Sequence, residues 1–307
     1  MARRKKGNRV NGWLIFDKPL EMTSTQAVGK VRWLFEAQKA GHAGTLDPLA
    51  TGILPIALGE ATKTVSSAVD GEKSYRFTVR WGVETTTDDT EGSATETSDA
   101  RPTMTAIEAL LPSFTGEIMQ RPPAFSAIKI DGQRAYDLAR DGEEVILEAR
   151  PVVIDTLRIV EMPDDATTVF EATCGKGTYV RAIARDLGRA LGCFGHVIKL
   201  RRTRVGPFGE DQAITLAELE ELAKQDDGGI ELMRCLMPIE TALTGMVELQ
   251  VSSNDAGRLR LGQPVLIRGR DAPIMQGEVY AVCKGQLVAM GEIERGELRP
   301  TRVFNLE

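Results

Sequence analysis

Asp47 is the residue whose setting most favours chemistry, because it lies in the glycine-bounded run GHAGTLDPLATG at residues 41–52. Glycines permit backbone conformations that a Cβ would forbid, and Pro48 keeps the residue before it out of the helical region. A carboxylate held in this way can attack an electrophilic carbon or stabilise a charged intermediate. The same residues are also typical of a helix start, with Asp47 as the N-cap and Pro48 at the first helical position.

Arg181 is the candidate partner of that carboxylate. A catalytic aspartate must stay ionised in a closed site, and a neighbouring guanidinium favours the ionised form and fixes its orientation. Arg181 ends the run GTYVR at residues 177–181 and is followed by Arg185 and Arg189 at four-residue intervals, which places all three on one face of a predicted helix. The residues alone favour another interpretation, in which Arg181 belongs to a solvated basic stripe.

Five segments of the chain, taken in order and spacing, resemble the TruB family of tRNA pseudouridine synthases. These are bacterial enzymes that isomerise the uridine at position 55, in the T-loop of tRNA. The segments are Lys18-Pro19, the GHAGTLDPLATG run, Tyr75, the GTYVR run and Leu200-Arg201-Arg202. The GHAGTLDPLATG run is the most specific of them, and the resemblance extends over nearly the whole chain. It departs at Glu21, where the family usually has a glycine, so a left-handed turn is not expected there.

The resemblance implies roles for the site residues. Asp47 would be the catalytic carboxylate, Arg181 would hold it, and Tyr75 would stack on the extruded base and could also handle a proton. An extruded base needs such a surface because the target uridine lies inside a folded RNA loop. The residues that would contact the displaced loop, form the base pocket or support the site from the first strand are His42, Tyr179, Leu200 and Lys18.

The reaction implied by the resemblance needs no cofactor and no metal. Uridine is isomerised by breaking its N1 glycosidic bond, rotating the base and joining C5 to the ribose, without a redox step or a phosphate donor. The chain accordingly contains no P-loop and no Rossmann fingerprint. Its four cysteines are scattered without a CxxC pair and it has only two histidines, so we expect neither a zinc site nor a disulfide framework.

Charge is strongly segregated along the chain, although the net charge is −6. Residues 1–40 contain nine Lys and Arg against three acidic residues, and residues 171–209 contain eight against two. Acidic residues are concentrated in residues 82–117 and 210–248. The basic blocks could bind phosphates if the fold brings them to one face, because electrostatic binding depends on local patches. They could equally be ordinary solvated faces.

Local patterns predict the elements that position these residues. An apolar run at residues 12–16 indicates a first strand, and Thr23 or Ser24 can cap the helix that follows. The segment from Lys73 to Trp81 alternates, with Tyr75 on its apolar face, and predicts a half-buried strand. The other predicted elements are an exposed acidic loop at 84–101, a short helix at 105–111, strands at 152–160 and 167–174, a helix capped by Thr178 and a strand at 197–203.

These patterns and the resemblance together imply an α+β catalytic domain over residues 1–246, and the resemblance implies that it is built on a mostly antiparallel mixed sheet flanked by helices. Residues 121–150 mix charges with little apolar periodicity and are expected to project from it. The short β runs from residue 247 onward predict a small β-barrel-like module over residues 247–307. The resemblance implies the pseudouridine-synthase fold, an insertion at 121–150 that grips the T-arm, and a PUA-type RNA-binding domain at the C-terminus.

We therefore expect a tRNA uridine isomerase that acts as a monomer without a guide RNA or an obligatory protein partner. One alternative is a non-catalytic RNA-binding or tRNA-folding chaperone of the same fold, and another is a relative that works inside a guide-RNA particle. The intact Asp47 and Arg181 argue against the first, and the lack of long lysine-rich extensions argues against the second. Without an apolar run of about 18 residues or a signal-peptide pattern, we expect a cytoplasmic protein that does not contact membranes.

Overall fold

The computed structural model describes residues 7–126, 128–130, 132–140, 145–225, 229–267 and 276–306. The α-helices are α1 Ser24–Leu34, α2 Val65–Asp70, α3 Met104–Leu110, α4 Ala135–Arg140, α5 Val180–Ala190, α6 Leu216–Leu222, α7 Ile230–Arg234 and α8 Ser253–Arg260. Short 3₁₀ helices cover Gly59–Thr64, Leu111–Phe114, Glu210–Gln212 and Ile239–Leu243. Among the described helices, none is both long and apolar enough to cross a membrane.

The strands fall into two groups along the chain. Those before residue 216 are β1 Gly12–Lys18, β2 Ala40–His42, β3 Ala50–Leu58, β4 Lys73–Trp81, β5 Val83–Thr85, β6 Ala94–Thr97, β7 Gly116–Gln120, β8 Lys129–Ile130, β9 Gln133–Arg134, β10 Arg150–Asp164, β11 Thr167–Cys174, β12 Gly195–Val205, β13 Phe208–Gly209 and β14 Ile214–Thr215. The C-terminal strands are β15 Val247–Gln250, β16 Val265–Leu266, β17 Gly277–Cys283, β18 Gln286–Glu294 and β19 Glu297–Val303.

The motif segments meet at the centre of a 10-stranded mixed sheet. Its main path is β14-β1-β3-β12-β4-β11-β10-β7, and the pairing is antiparallel except between β1 and β14 and between β3 and β12. On β12, Leu200 lies opposite Ala50 of β3 and Phe77 of β4. Strand β4, which carries Tyr75, and strand β3, which follows Asp47, therefore flank the segment Leu200-Arg201-Arg202 on β12. This arrangement confirms the predicted mostly antiparallel mixed sheet.

Strand β4 buries one face and exposes the other, as its alternating sequence predicted. Phe77 and Trp81 are fully buried on the inner face, where they pack with Ile183 and Leu187 of α5. Burying a side chain of this size contributes about 1.5–3 kcal/mol, so the pairing of β4 with α5 is a major part of the core. The core fixes α5 beside the centre of the sheet, which places its N-terminus near the Asp47 turn.

The two predicted helix caps have different outcomes. Thr23 caps α1 as expected, and its hydroxyl and the Gln26 side chain form a capping box. The cap predicted at Thr178 is wrong, because Tyr179 is the N-cap of α5 and its side chain makes no capping hydrogen bond. The buried Gln120 of β7 bonds instead to both backbone groups of Tyr179, at 2.8 Å from its N and 3.2 Å from its O. A neighbouring strand, rather than a local side chain, thus fixes where α5 begins.

The exposed acidic loop predicted at residues 84–101 is wrong for the first part of the segment, whereas residues 90–101 are mostly exposed. Strands β5 and β6 form a hairpin there, and Glu84, Asp88 and Asp89 are all buried. A buried carboxylate is unfavourable unless it is paired, and the arginines of α5 pair with all three. These arginines are distant in sequence from the segment, so its local composition could not indicate the burial.

The backbone at residues 21 and 47 also differs from expectation. Glu21 adopts a positive φ of 64°, so the left-handed turn is present despite the missing glycine. Its N–H donates to the Pro48 carbonyl at 2.8 Å, which offsets part of the roughly 1–2 kcal/mol that a left-handed L-residue costs. Asp47 does not start a helix: its carbonyl accepts a bond from the Ala50 N–H at 3.1 Å in a turn that leads directly into β3.

The C-terminal strands form a second sheet, in the order β15-β17-β18-β19-β16, that curls into a half-barrel covered by α8. This arrangement agrees with the predicted small β module. The sheet shares a core with the larger part of the protein, since Leu287, Met290 and Phe304 cluster with Trp13. Lys63 also donates to the Val303 carbonyl at 2.6 Å. The described parts of the module are thus packed firmly on the rest of the chain.

The projecting segment predicted at residues 121–150 is described in part. It contains the short strand pair β8 and β9 and the helix α4. Residues 127, 131 and 141–144 lie outside the described residues, as do the basic residues 3–6 of the first charge block. The expectation that this segment grips RNA therefore stays a prediction.

Candidate active site

The turn that carries Asp47 is fastened on both sides. The buried Ser24 hydroxyl bonds to the backbone N and O of Leu46, each at 2.9 Å. On the other side, the Pro48 carbonyl accepts bonds from the Glu21 N–H and, at 3.3 Å, from Lys18 Nζ. The Asp47 side chain remains 40% exposed at the end of this fixed turn. The geometry holds a carboxylate in a defined direction and leaves it accessible.

Lys18 is fully buried beneath the turn and acts there as a hydrogen-bond donor. Besides Pro48, its ammonium contacts the carbonyls of Pro19 at 2.8 Å and Met22 at 2.7 Å. Burial lowers the pKa of Lys18 to about 8, an effect that the Asp47 carboxylate opposes and Arg202 reinforces. The predicted supporting residue therefore bonds to the backbone of the turn, and its charge interacts with Asp47.

Arg181 lies against Asp47, as the resemblance implied and in contrast to the solvated stripe that the residues alone favoured. Its Nη2 is 3.0 Å from Asp47 Oδ2 and also donates to the Phe125 carbonyl at 2.9 Å. Its Nη1 donates to the Thr87 carbonyl at 2.8 Å and lies 3.3 Å from Asp89 Oδ2. The Arg181 side chain is only 7% exposed. Two hydrogen bonds and two ion pairs hold the guanidinium in place, so Asp47 faces a rigid cation.

The other two arginines of the predicted basic stripe are also engaged in ion pairs with acidic residues. Arg185 is buried and pairs with Asp88 at 2.9 Å, while Arg189 forms a bidentate pair with Glu84. Burial raises the pKa of Asp88 to about 6 in spite of Arg185 and Arg181. The stripe is therefore an internal ladder of ion pairs. The prediction that this helix face is a solvated or phosphate-binding stripe is wrong.

Arg202 is a site residue that sequence reasoning named only as part of a motif. It is 1% exposed, and its guanidinium donates to the carbonyls of Gly44 at 3.1 Å, Thr45 at 3.2 Å and Ile53 at 2.8 Å. Gly44 and Gly52 both have positive φ, and a Cβ on Gly52 would lie 2.2 Å from the Arg202 carbonyl oxygen. Gly44 and Gly52 are thus required where the Asp47 loop wraps around Arg202.

Tyr75 and Tyr179 lie near Asp47. Burial raises the pKa of both phenols, and the negative charge of Asp47 adds to each shift. Tyr75 sits on β4 opposite Arg202, so it is held close to the Asp47 loop. His42 is half-buried on β2, where it pairs with Ile56.

Asp47, Arg181 and Leu200 line one cleft, which is open to solvent. Lys18, Tyr75, Tyr179 and His42 do not contribute to its lining. The rest of the lining consists of Leu49, Ala50, Asp89, Thr90, Val197, Ile198 and Lys199. Among the described residues, no group of three or more His, Cys, Asp or Glu side chains is arranged to hold a metal ion. The cleft offers a fixed carboxylate beside a fixed cation and an apolar wall.

Family models match most of this arrangement, although Lys18 and Ser24 lie before the first matched residue. The TruB family pseudouridylate synthase N-terminal domain matches residues 32–180, which include Asp47, Tyr75 and Tyr179. The tRNA pseudouridylate synthase B C-terminal domain matches residues 181–244, which begin at Arg181. A further C-terminal domain, that of pseudouridine synthase II TruB, matches residues 248–304.

Bacterial proteins named tRNA pseudouridine synthase B are similar to this chain over nearly its full length. The protein from Agrobacterium fabrum is 56% identical over 305 residues, which are 98% of this chain and 97% of that protein. The protein from Rhodopseudomonas palustris is 59% identical over 304 residues, covering 99% and 83% of the two chains.

Solved structures share the fold. A chain of a Cbf5-Nop10-Gar1 complex superposes with a TM-score of 0.74 at 26% identity, over 96% of this chain and 84% of that one. A chain of an H/ACA RNP bound to a substrate RNA containing 2′-deoxyuridine gives a TM-score of 0.75 at 23% identity, over 99% and 92%. The relatives above 50% identity, together with the matching family models, show that the chain belongs to the TruB family of pseudouridine synthases.

Proposed function

We propose that this chain converts the uridine at position 55, in the T-loop of tRNA, to pseudouridine. The observation that carries the proposal is the Asp47 carboxylate, held 3.0 Å from Arg181 at a cleft that Leu200 also lines. The proposal is supported by relatives that are named tRNA pseudouridine synthase B and are 56–59% identical to this chain.

Asp47 is the catalytic carboxylate of the proposed reaction. The bond between N1 of uracil and C1′ of ribose breaks, the base rotates, and C5 bonds to C1′. The C5 proton is lost and N1 gains a proton, so the product has the composition of the substrate and no cofactor is consumed. Asp47 serves by attacking the ribose or the base, or by stabilising the charged fragment after cleavage. Its partial exposure leaves room for the nucleotide on the open side.

Arg181 orients Asp47 and stabilises its charge. Three other acceptors hold the guanidinium, so it need not reorganise as charge moves during the reaction. A buried guanidinium is unfavourable unless it is paired and its N–H groups are hydrogen-bonded, and the carbonyls of Thr87 and Phe125 accept two such bonds from Arg181.

The extruded uracil occupies the cleft next to the aromatic residues. Leu200 forms an apolar wall of the cleft, and we assign Tyr75 and Tyr179, whose phenols both interact electrostatically with Asp47, to contact the base. Because the pKa of Tyr75 is raised, its phenol stays protonated at neutral pH and can donate a hydrogen bond or a proton. His42 contacts the displaced RNA loop, and Lys18 supports the turn from below.

The RNA is bound outside the ion-pair ladder of α5. Exposed cations such as Lys199, at the cleft, contact phosphates, whereas Arg181 and Arg185 are engaged internally. Residues 1–246 form the catalytic domain, and its insertion at about 121–150 grips the T-arm. Residues 247–307 form a PUA-type RNA-binding domain.

The enzyme acts as a cytoplasmic monomer, without a guide RNA or an obligatory protein partner. Support comes from the bacterial relatives, whose names include tRNA but no complex, whereas the similar Cbf5 chain is described in a complex with Nop10 and Gar1. The alternative of a non-catalytic RNA chaperone does not account for an accessible carboxylate held against a buried guanidinium.

Site-specific mapping of pseudouridine tests this function. The purified full-length chain is incubated with an unmodified tRNA transcript, and with a matched transcript in which uridine 55 is replaced by cytidine. We expect one pseudouridine per tRNA, at position 55, and none in the control. Modification at other uridines, or none in a folded transcript, would contradict the proposal.

A further inference from the structure

A short segment between β7 and the rest of the 121–150 region is held by two arginines of α5. Arg185 Nη2 donates to the Arg121 carbonyl at 2.7 Å, and Arg181 Nη2 donates to the Phe125 carbonyl at 2.9 Å. Pro122 and Pro123 lie between these two carbonyls and are buried. Prolines have no N–H and a fixed φ, so this segment is stiff and cannot be secured as a strand would be. Its carbonyls are the groups by which α5 holds it.

A second segment, residues 87–89, is held by the same two arginines. Arg181 bonds to Thr87 and Asp89, while Arg185 Nη1 bonds to Asp88 Oδ2 at 2.9 Å. Asp88 has a positive φ of 60°, a conformation that costs an L-residue free energy and persists only where its surroundings impose it. Arg185 is the cation that holds its side chain, and the Val197 N–H bonds to its carbonyl at 3.0 Å.

We propose that Arg185 is a positioning residue for the reaction, because it holds residues 87–89 and 121–125, the two segments besides the Asp47 turn that contact Arg181. The inference rests on the proposed function and deepens it. Arg181 receives its orientation from three segments: the Asp47 turn, residues 87–89 and residues 121–125. Arg185 is bonded to two of the three and is bonded also to its neighbour Asp186, which orients it in turn. It acts on the chemistry only through Arg181.

Arg189 supplies a matched control. It lies one helical turn beyond Arg185 on the same face of α5, and it pairs with Glu84 of the same acidic segment through two bonds of 2.7 Å. Its side chain is about half exposed, and its described hydrogen bonds do not include residues 87–89 or 121–125. Replacing either arginine by a neutral residue would remove one charge from α5, so a general effect of charge or stability would appear in both variants. Only Arg185 contacts the segments that hold Arg181, so an effect through positioning is expected for Arg185 alone.

The test compares Arg185→Gln with Arg189→Gln in the full-length protein, using single-turnover rates on tRNA at saturating enzyme. We expect Arg185→Gln to lower the rate at least about tenfold, since small misplacements of a catalytic group are costly, and Arg189→Gln to lower it less than about twofold. In an Asp89→Asn background, where the contacts that hold Arg181 are already disturbed, Arg185→Gln should lower the single-turnover rate by a markedly smaller factor. Equal rates for the two arginine variants, or additive effects with Asp89→Asn, would overturn the inference.

Amide hydrogen exchange supplies a second measurement that does not depend on activity. Exchange in residues 121–126 should be faster in Arg185→Gln and unchanged in Arg189→Gln. If Arg185→Gln folds poorly because Asp88 is left buried without its partner, the double variant Arg185→Gln with Asp88→Asn removes both charges. We expect the double variant to show the same lower rate and the same faster exchange in residues 121–126. If the wild type makes no pseudouridine, the proposed function fails, and the exchange comparison still decides whether Arg185 holds the segment.

Discussion

Replacing Arg181 by lysine retains the charge but removes the fork of the guanidinium. The native side chain reaches four acceptors, namely Asp47, Asp89 and the carbonyls of Thr87 and Phe125. Two of these lie on Nη1 and two on Nη2, so they diverge around the planar group. The ammonium of lysine is a single point at the end of a flexible chain and cannot reach the acceptors on both sides, so we expect it to contact no more than two of the four acceptors.

The cost follows from the bonds that are lost. A hydrogen bond to a charged group contributes about 1.5–3 kcal/mol, so losing two costs at least about 3 kcal/mol. If most of this loss falls on the transition state, the rate drops by about 100-fold, since each 1.36 kcal/mol is a factor of ten. A side chain on a solvated stripe would give almost no effect.

The assay is the single-turnover release of tritium from C5 of uridine, because C5 loses its hydrogen when it bonds to the ribose. Enzyme is held in excess and the Kd for tRNA is measured separately, so that binding and chemistry are distinguished. Circular dichroism and thermal unfolding confirm the fold of Arg181→Lys. A rate within about threefold of the wild type would refute the reasoning, because it would show that the geometry of the guanidinium is dispensable.

Further predictions concern the pH dependence set by Lys18, the independence from metal and the backbone at Glu21. Because the pKa of Lys18 is about 8, activity should fall as the pH rises through 8, and this decrease should be absent in Lys18→Met. The contribution of Lys18 to the free energy of unfolding should rise between pH 8 and 10.5, because in this range Lys18 keeps its proton in the unfolded chain and has lost it in the folded one. Urea titrations across this pH range measure the change. EDTA should leave the rate on a pre-folded T-arm hairpin unchanged, and a loss there would indicate a required metal. Glu21→Gly should stabilise the protein by up to about 1 kcal/mol by relieving the positive φ, whereas Glu21→Ala should not, as denaturant midpoints would show.

The elements whose signals are local could be predicted from the sequence. The alternation of β4 identified its buried face, and the capping box of α1 followed from Thr23. The pairing of Asp47 with Arg181 was predicted through the family motif rather than from periodicity. The structure places the two side chains together, and their catalytic roles stay proposals.

The part that could not be predicted depends on contacts between distant segments. Glu84, Asp88 and Asp89 were expected in a loop because acidic, threonine-rich stretches usually are solvated, and the arginines that bury them lie on α5. One signal was present: Glu84 and Asp88 are four residues apart, as are Arg185 and Arg189. Two such complementary spacings indicate a ladder only when both segments are considered together.

The glycines around Asp47 show the same limit. The sequence indicated a constrained loop, but the constraint at Gly52 comes from the backbone of Arg202, which lies far along the chain. Glu21 shows the opposite case, because a non-glycine residue occupies a left-handed turn where the Pro48 carbonyl accepts its N–H. Tertiary contacts decided both conformations.

The most direct test of the account is the rate of the isosteric variant Asp47→Asn. The amide keeps the shape of the side chain and removes its charge and its nucleophilic oxygen, so folding and the Kd for tRNA should match the wild type. We expect single-turnover tritium release to fall below about 1% of the wild-type rate, a barrier increase of roughly 3 kcal/mol or more. A variant that folds, binds tRNA and retains more than that rate would contradict the central claim that Asp47 performs the chemistry.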